Sequence, residues 1–289
     1  MSRVVLVGCA DLPEGKGDEA GAMRALEDVG VDTRWAVWDD PAEDFTDADL
    51  VILRATWDYA ERRKEFLDWC ASVPALRNPA EAVRWNTDKS YLVDLRRAGV
   101  PVVPTTLVAP GEHVEWPEGD FVVKPAVGAG SRGAARFTSA GHEAADEHLR
   151  ALHAADQVAV VQPYQRAVDA EGETALVFFG GQYSHAFTKG PMLRGADLDD
   201  SGLYVTEELG VAAPDGAWHA LAEQALDAAA AHLGVHRRSL LYARVDILRA
   251  DAGDPVLLEL EISEPRLGFQ QADEGAALRF ASAVRGALT

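Results

Sequence analysis

The sequence predicts an α/β protein in which a parallel α/β unit precedes two lobes of mixed strands and helices, and three observations predict it. β-branched runs alternate with amphipathic stretches through residues 1–76. A strand, a loop holding three glycines and a second strand follow between Asp120 and Phe137. From residue 172 onward, two apolar hairpins flank an Ala-rich helical stretch. With 289 residues the chain can bury a sizeable core in one to three compact units, and 48% hydrophobic with 26% charged residues is ordinary for a soluble globular protein.

The first unit reads as strand 3–8, helix about 17–29, strand 32–37, strand 49–53 and helix 61–72, a pattern that gives a small parallel sheet. Arg54-Ala-Thr56-Trp57-Asp58-Tyr59 comes just past the third strand, where open α/β sheets present ligand-binding loops. Arg54, Thr56 and Asp58 are candidates there to meet a substrate's ionised groups. The alternative makes Trp57 and Tyr59 core anchors and pairs Arg54 with a surface acid. Residues 77–110 predict a connector: Thr87 or Asp88 can cap a helix running to about Arg97, and Gly99-Val-Pro101 enters a strand. Residues 118–165 read as a βαβ-like lobe. After it come strands 174–179 and 182–188, a helix over about 216–233, strands 240–249 and 255–262, and a closing helix over about 272–287. The divisions this predicts are 1–76, 77–165 and 166–289.

In the middle lobe, Lys124 ends a strand and Gly128, Gly130 and Gly133 follow, with Ser131 and Arg132 between them. Glycines allow positive φ and close backbone approach, so successive amides can face one anion while Ser131 adds a hydroxyl. The loop is shaped for phosphate, yet it is neither a Walker loop nor a dinucleotide fingerprint, because no Gly-Lys-Ser/Thr and no helix follows it directly. A plain flexible turn is the commoner use of such a loop.

The last hairpin carries Tyr242-Ala-Arg244-Val-Asp246 and Leu257-Leu-Glu259-Leu-Glu261-Ile-Ser-Glu264-Pro265. Glu259 and Glu261 share one face, and Asp246 can lie beside them on the neighbouring strand. Three carboxylates together on an apolar hairpin resist burial unless a cation sits among them, and hard oxygen donors suit Mg²⁺, with Mn²⁺ as the alternate. The other reading is an amphipathic hairpin with its acids in water. His185, in Ser-His-Ala, invites a catalytic reading but equally suits a hydrogen-bonded structural histidine. Arg266 follows Glu264-Pro265, where it can bind a substrate carboxylate or lie exposed.

A formal charge of −20 argues against a nucleic-acid partner and makes each cation near a polyphosphate site notable. No run reaches the roughly 20 apolar residues that span a bilayer, and the first residues read as a strand, which predicts a cytoplasmic protein without a membrane partner. Cys9 and Cys70 form no C-x-x-C pair, so buried free thiols are expected.

Along the chain come Lys89, Lys124 before its Gly-rich loop, Gln162-Pro163-Tyr164, Gly172-Glu173, Lys189, Arg244-x-Asp246 and Glu259-x-Glu261. This order resembles the ATP-grasp superfamily of carboxylate–amine ligases, which includes D-alanine–D-alanine ligase, glutathione synthetase and the ribosomal-protein glutamate ligases. Arg54-Ala-Thr56-Trp57-Asp58-Tyr59, Asn78-Pro79, Arg84-Trp85-Asn86-x-Asp88-Lys89, Gln162-Pro163-Tyr164, Ser184-His185-Ala and Leu258-Glu259-Leu-Glu261-x-x-Glu264-Pro265 carry a closer similarity. It is to the O-ureido-D-serine cyclo-ligases of D-cycloserine biosynthesis, and it covers nearly the whole chain.

The resemblance implies a parallel N-terminal domain and two lobes that clasp ATP. Lys89 and Lys124 would contact the α- and β-phosphates, and the loop Gly128, Gly130, Ser131 and Gly133 would cover the β- and γ-phosphates. Gln162, Pro163 and Tyr164 would read the adenine edge, and Glu173 the ribose. Lys189 would face the γ-phosphate, Asp246, Glu259 and Glu261 would hold magnesium, and Arg244 would stabilise oxyanionic charge in the transition state. Many relatives carry Asn where Glu261 stands, which leaves a ligand in place but alters its charge. The implied chemistry transfers the γ-phosphoryl group to a small carboxylate and condenses the acyl phosphate with an amine, within one molecule for cycloserine-type ring closure. Small-molecule phosphorylation without condensation, ATP binding without ligation and a non-catalytic acidic binding module are the alternatives. Dimers are common among such relatives, so a homodimer is an expected arrangement.

Overall fold

The computed structural model describes residues 2–193 and 198–289. β1 (Ser2–Gly8) runs through the centre of a parallel sheet with β2 (Val31–Val37) on one side and β3 (Leu50–Ala55) then β4 (Leu76–Arg77) on the other. All six residues of β3 are buried, as befits an inner parallel strand covered on both faces by helices. α1 (Ala20–Asp28) and α2 (Arg63–Ser72) supply cover. Arg54 is therefore inside a strand, not in the loop that the sequence suggests, and the turn after it is a short 3₁₀ segment over Trp57–Ala60.

The connector holds two short helices, α3 (Ala80–Asn86) and α4 (Tyr91–Arg97), the second starting a few residues after the expected cap and ending at Arg97. They are separate because the Lys89 amide donates to the Ala126 carbonyl at 2.8 Å, outside any helical ladder. Asp88 nonetheless accepts from the Ser90 amide at 3.0 Å, as an Asx-type turn does at a helix entry.

β5 (Thr106–Val108), β6 (Phe121–Pro125), β7 (Ala135–Phe137) and β8 (Ala159–Pro163) form a second sheet in the order β5-β8-β6-β7, every pair antiparallel. α5 (His142–Ala154) carries the chain from β7 to β8 across β6. The expected βαβ-like lobe is thus a split unit, because β6 occupies the place between the two strands that run in the same direction. Phe121, Val123, Ala145, Leu149 and Val161 fill its small core.

After α6 (Val168–Glu171), β9 (Glu173–Phe179) and β10 (Gln182–Lys189) begin a third sheet. β11 (Leu209–Val211), β12 (Tyr242–Arg249) and β13 (Pro255–Glu261) complete it in the antiparallel order β11-β10-β9-β12-β13. α7 (Gly216–His232) starts where Asp215 accepts from the amides of Ala217 and Trp218, and it buries Leu221, Ala222, Ala225 and Ala229 against the sheet. α8 (Ala276–Ala287) begins four residues later than expected and lies against α1. Phe280 and Val284 then share a core with Val4 and Leu6 of the first sheet, Leu26 of α1, and Phe179 and Phe187 of the third sheet. That shared core is what brings the loops of the first unit to the edge of the last hairpin. Residues 190–200 have the composition of a loop that orders when ligands bind, and 194–197 among them lie outside the described residues.

Candidate active site

A cleft opens between the second and third sheets, and its floor is the last hairpin. Register places Arg244 opposite Glu261 and Asp246 opposite Glu259, so the two-residue period turns all four side chains to one face. One oxygen from each of Asp246, Glu259 and Glu261 lies within 4.8 Å of the others. These acids do not form a solvated strand face. Lys189 stands 2.6 Å from Asp246 and 2.7 Å from Glu173, Lys89 stands 3.0 Å from Glu259, and Arg244 binds both Asp246, at 2.8 Å, and Glu261.

The pairing is uneven, and the acids titrate apart accordingly. Burial acts to raise Glu259, but Lys89, Lys124 and Lys189 override it and hold the carboxyl near about 2. Burial also raises Glu261, Arg244 offsets only part of that, and repulsion from Glu259 and Asp246 leaves it at about 7. Glu264, further along the same wall, is pushed to about 8 by burial and then by Glu261, and its Oε2 is buried without a partner. Three carboxylates with their oxygens gathered at one point are a donor set that a hard divalent ion fits.

Lys124, at the end of β6, faces the same space. Burial lowers its pKa, and among the described residues its ammonium has no ion-pair partner, in contrast to Lys89 and Lys189. The Gly-rich loop beyond it lies over the cleft and against the first unit. Gly130 has φ 61°, and a Cβ there would fall 2.4 Å from the Leu203 carbonyl oxygen and 2.5 Å from Tyr204 Cα. Only glycine fits so close a crossing. The Gly130 carbonyl accepts from the Val205 amide at 2.9 Å. Arg132 donates to the Trp57 carbonyl at 2.9 Å and to Glu61 at 2.8 Å. Lys89 donates to the Gly128 carbonyl at 2.9 Å, joining the loop to the acidic floor.

At the inner end, Gln162, Pro163 and Tyr164 leave β8 beside Val103, Val122, Val168, Leu248 and Leu258, which make an apolar slot. Sequence reasoning missed those five, since each is an ordinary apolar residue until the two sheets face each other. Glu173 sits at the slot's mouth; its Oε2 is close to Lys189 but makes no aligned hydrogen bond, so it keeps acceptor capacity. At the outer end, Lys16, Tyr204 and Glu207 join the wall with Glu264 and Arg266. None of those first three carries a sequence signal.

Arg54, Thr56, Asp58 and His185 do not line the cleft. Arg54 is buried, paired with Glu19 at 3.0 Å and donating to the Pro265 carbonyl at 2.6 Å. Asp58 accepts from Trp38 and pairs with Arg62. His185 shares one ring nitrogen with the Leu267 carbonyl at 2.7 Å and the other with Ser184, and burial lowers its pKa. Arg54 and His185 belong instead to a clamp on the backbone from 260 to 267. Asn86 takes the Leu260 carbonyl and the Ile262 amide, and Asn78 takes the Ile262 carbonyl. The Tyr242 hydroxyl donates to the Ser263 carbonyl, Trp57 to that of Glu264, and Arg244 to that of Arg266. The clamp fixes the strand end that presents Glu259, Glu261 and Glu264.

Comparison with known proteins agrees with this architecture. Residues 4–80 match the family model described as D-cycloserine synthetase DcsG, N-terminal domain. The cycloserine biosynthesis protein DcsG of Streptomyces lavendulae is 39% identical over 277 residues, 91% of each chain. A crystal structure of D-cycloserine synthetase DcsG superposes with a TM-score of 0.90 at 36% identity over the whole of both chains. D-alanine–D-alanine ligase from Bacillus anthracis, at 15% identity, covers 100% of this chain and 97% of its own with a TM-score of 0.68, a likeness of fold.

Proposed function

The chain belongs to the D-cycloserine synthetase family of ATP-grasp ligases, and on that premise we propose that it is an ADP-forming enzyme that activates the carboxylate of a small amino-acid-like substrate and joins it to an amine, as in cycloserine-type ring closure. The observation that carries the reading is the convergence of Lys89, Lys124, Lys189 and Arg244 with Asp246, Glu259 and Glu261 in one cleft. A triphosphate brings the negative charge that four cations can meet, and phosphoryl transfer asks for positioning and charge neutralisation more than covalent help.

In this reading the apolar slot beside Gln162, Pro163 and Tyr164 takes the adenine, and Glu173 accepts from the ribose hydroxyls. Lys89 and Lys124 hold the α- and β-phosphates, while Lys189 and the loop from Gly128 to Gly133 enclose the terminal ones. Asp246, Glu259 and Glu261 would hold Mg²⁺, which supplies charge neutralisation at the phosphates. A carboxylate oxygen of the substrate bonds to the γ-phosphorus as the bond to the bridging oxygen breaks and ADP leaves with the electron pair. Arg244 stabilises the oxyanionic charge that develops. The amine then displaces phosphate from the acyl carbon. The same reading divides the chain at 76/77 and 165/166; one sheet in each span supports it, with Arg77 as the last residue of the first sheet.

The test is ADP release with Mg²⁺ and a panel of amino acids that includes O-ureido-D-serine and D-alanine. Release that needs such a carboxylate, together with a condensed product by mass spectrometry, supports the ligase. Phosphorylated product without condensation makes it a kinase and refutes the proposal.

A further inference from the structure

We propose that Lys16 is a catalytic residue, its ammonium acting with the Arg266 guanidinium to hold the substrate carboxylate while that group receives the phosphoryl group. The inference rests on the ligase reading above and names a residue outside the motifs of the sequence.

Lys16 lies in the loop after β1, and the shared core of the first and third sheets delivers that loop to the outer end of the cleft. Its ammonium sits over the Tyr204 ring and 5.4 Å from the Trp57 ring centroid, and the two rings meet edge to face at 5.4 Å. Both walls are tied to reacting parts of the site. Trp57 donates to the Glu264 carbonyl at 3.2 Å, and Tyr204 lies under Gly130 of the phosphate-covering loop. Lys16 therefore stands between the loop that encloses the terminal phosphate and the segment Glu264–Arg266, which is where an acceptor in line with that phosphate must lie.

Charge accounting assigns the role. Lys89, Lys189 and Arg244 are each committed to a carboxylate of the floor, and Lys124 faces the phosphate side. Lys16 has no ion pair among the described residues, although the chain carries a net charge of −20. Arg266 reaches Glu207 only at 3.3 Å and leaves its Nε buried without a partner. Two cations with spare capacity in one end of the cleft, the first of them over an aromatic wall, form a receptor for an anionic oxygen.

The environment also tunes Lys16. Burial and then Arg266 lower its pKa to about 8, while Glu207, Asp199 and Asp18 act the other way. The holding cation is thus present below about pH 8 and lost above it, so the KM for the carboxylate should climb as pH passes 8 while the KM for ATP stays level.

Lys16→Met keeps the length and apolar stem and removes the charge; Lys16→Arg restores a cation that does not titrate in this range. Steady-state ADP release is measured for the full chain with O-ureido-D-serine and Mg-ATP from pH 6.5 to 9.5. The expected result for Lys16→Met is a carboxylate KM raised roughly tenfold to a hundredfold below pH 8, as for a lost charged hydrogen bond, with an unchanged ATP KM. Lys16→Arg should recover much of the affinity. A wild-type carboxylate KM in Lys16→Met overturns the assignment of Lys16 alone. Absence of carboxylate-dependent ADP release from the wild-type chain overturns the ligase reading and the assignment together.

Discussion

Lys124 offers the sharpest separation of fold from function. It is a half-buried lysine without an ion-pair partner among the described residues, and desolvation lowers its pKa, so the fold carries a cost for holding it charged at neutral pH. The sign follows: a lysine whose folded pKa lies below its unfolded value weakens the folded state at every pH where both forms are protonated. Lys124→Met removes that cost and keeps an unbranched apolar stem, so the urea midpoint should stay level or rise. Binding moves the other way. A charged hydrogen bond to phosphate contributes about 1.5–3 kcal/mol, which converts to roughly a 10- to 150-fold weaker Kd for a non-hydrolysable ATP analogue with Mg²⁺. Isothermal titration calorimetry beside urea unfolding reads both quantities on one preparation. Undiminished nucleotide affinity would refute the assignment, and a fall in stability matching the loss of affinity would show that Lys124 is part of the scaffold.

Four further outcomes follow from the same geometry. Lys189→Met leaves Glu173 buried without its cation and Asp246 with Arg244 alone, and should lower stability by about 3–5 kcal/mol as well as abolishing turnover; a urea midpoint equal to wild type would contradict the pairing. Asn86→Leu strips the Leu260 carbonyl and Ile262 amide of partners at 2.7 Å each, so a loss of about 2–6 kcal/mol is expected, with a weaker Mg²⁺ response in whatever remains folded. Glu261 and Glu264 have folded pKa values near about 7 and 8, above the unfolded value of 4.5, so the native chain binds more protons than the unfolded one between pH 4.5 and 8. Stability of the metal-free protein should therefore fall as pH rises through that window. Mg²⁺ binding at pH 6.5 should release protons, which calorimetry in two buffers of different ionisation enthalpy detects; buffer-independent heats would argue against Glu261 as a ligand.

What the sequence determined by itself is what period and residue chemistry settle locally. Alternation in 240–262 places Arg244, Asp246, Glu259 and Glu261 on one face of a hairpin because side chains repeat every two residues, and the structure pairs them across one register. Glycines at 128, 130 and 133 mark a loop for close approach because they alone lack the Cβ that Gly130 has no room for. Tertiary structure decided the rest. Arg54 and His185 look like substrate ligands in one dimension, yet β3 buries the first and the 260–267 backbone takes both. Asn78 and Asn86 are polar residues in a connector until the third sheet arrives, when their amides become the clamp that holds the acidic strand end. Lys16 has no motif at all. Its place depends on a core shared between α1, α8 and two sheets far apart in sequence, and local pattern cannot encode where such a core sets a loop.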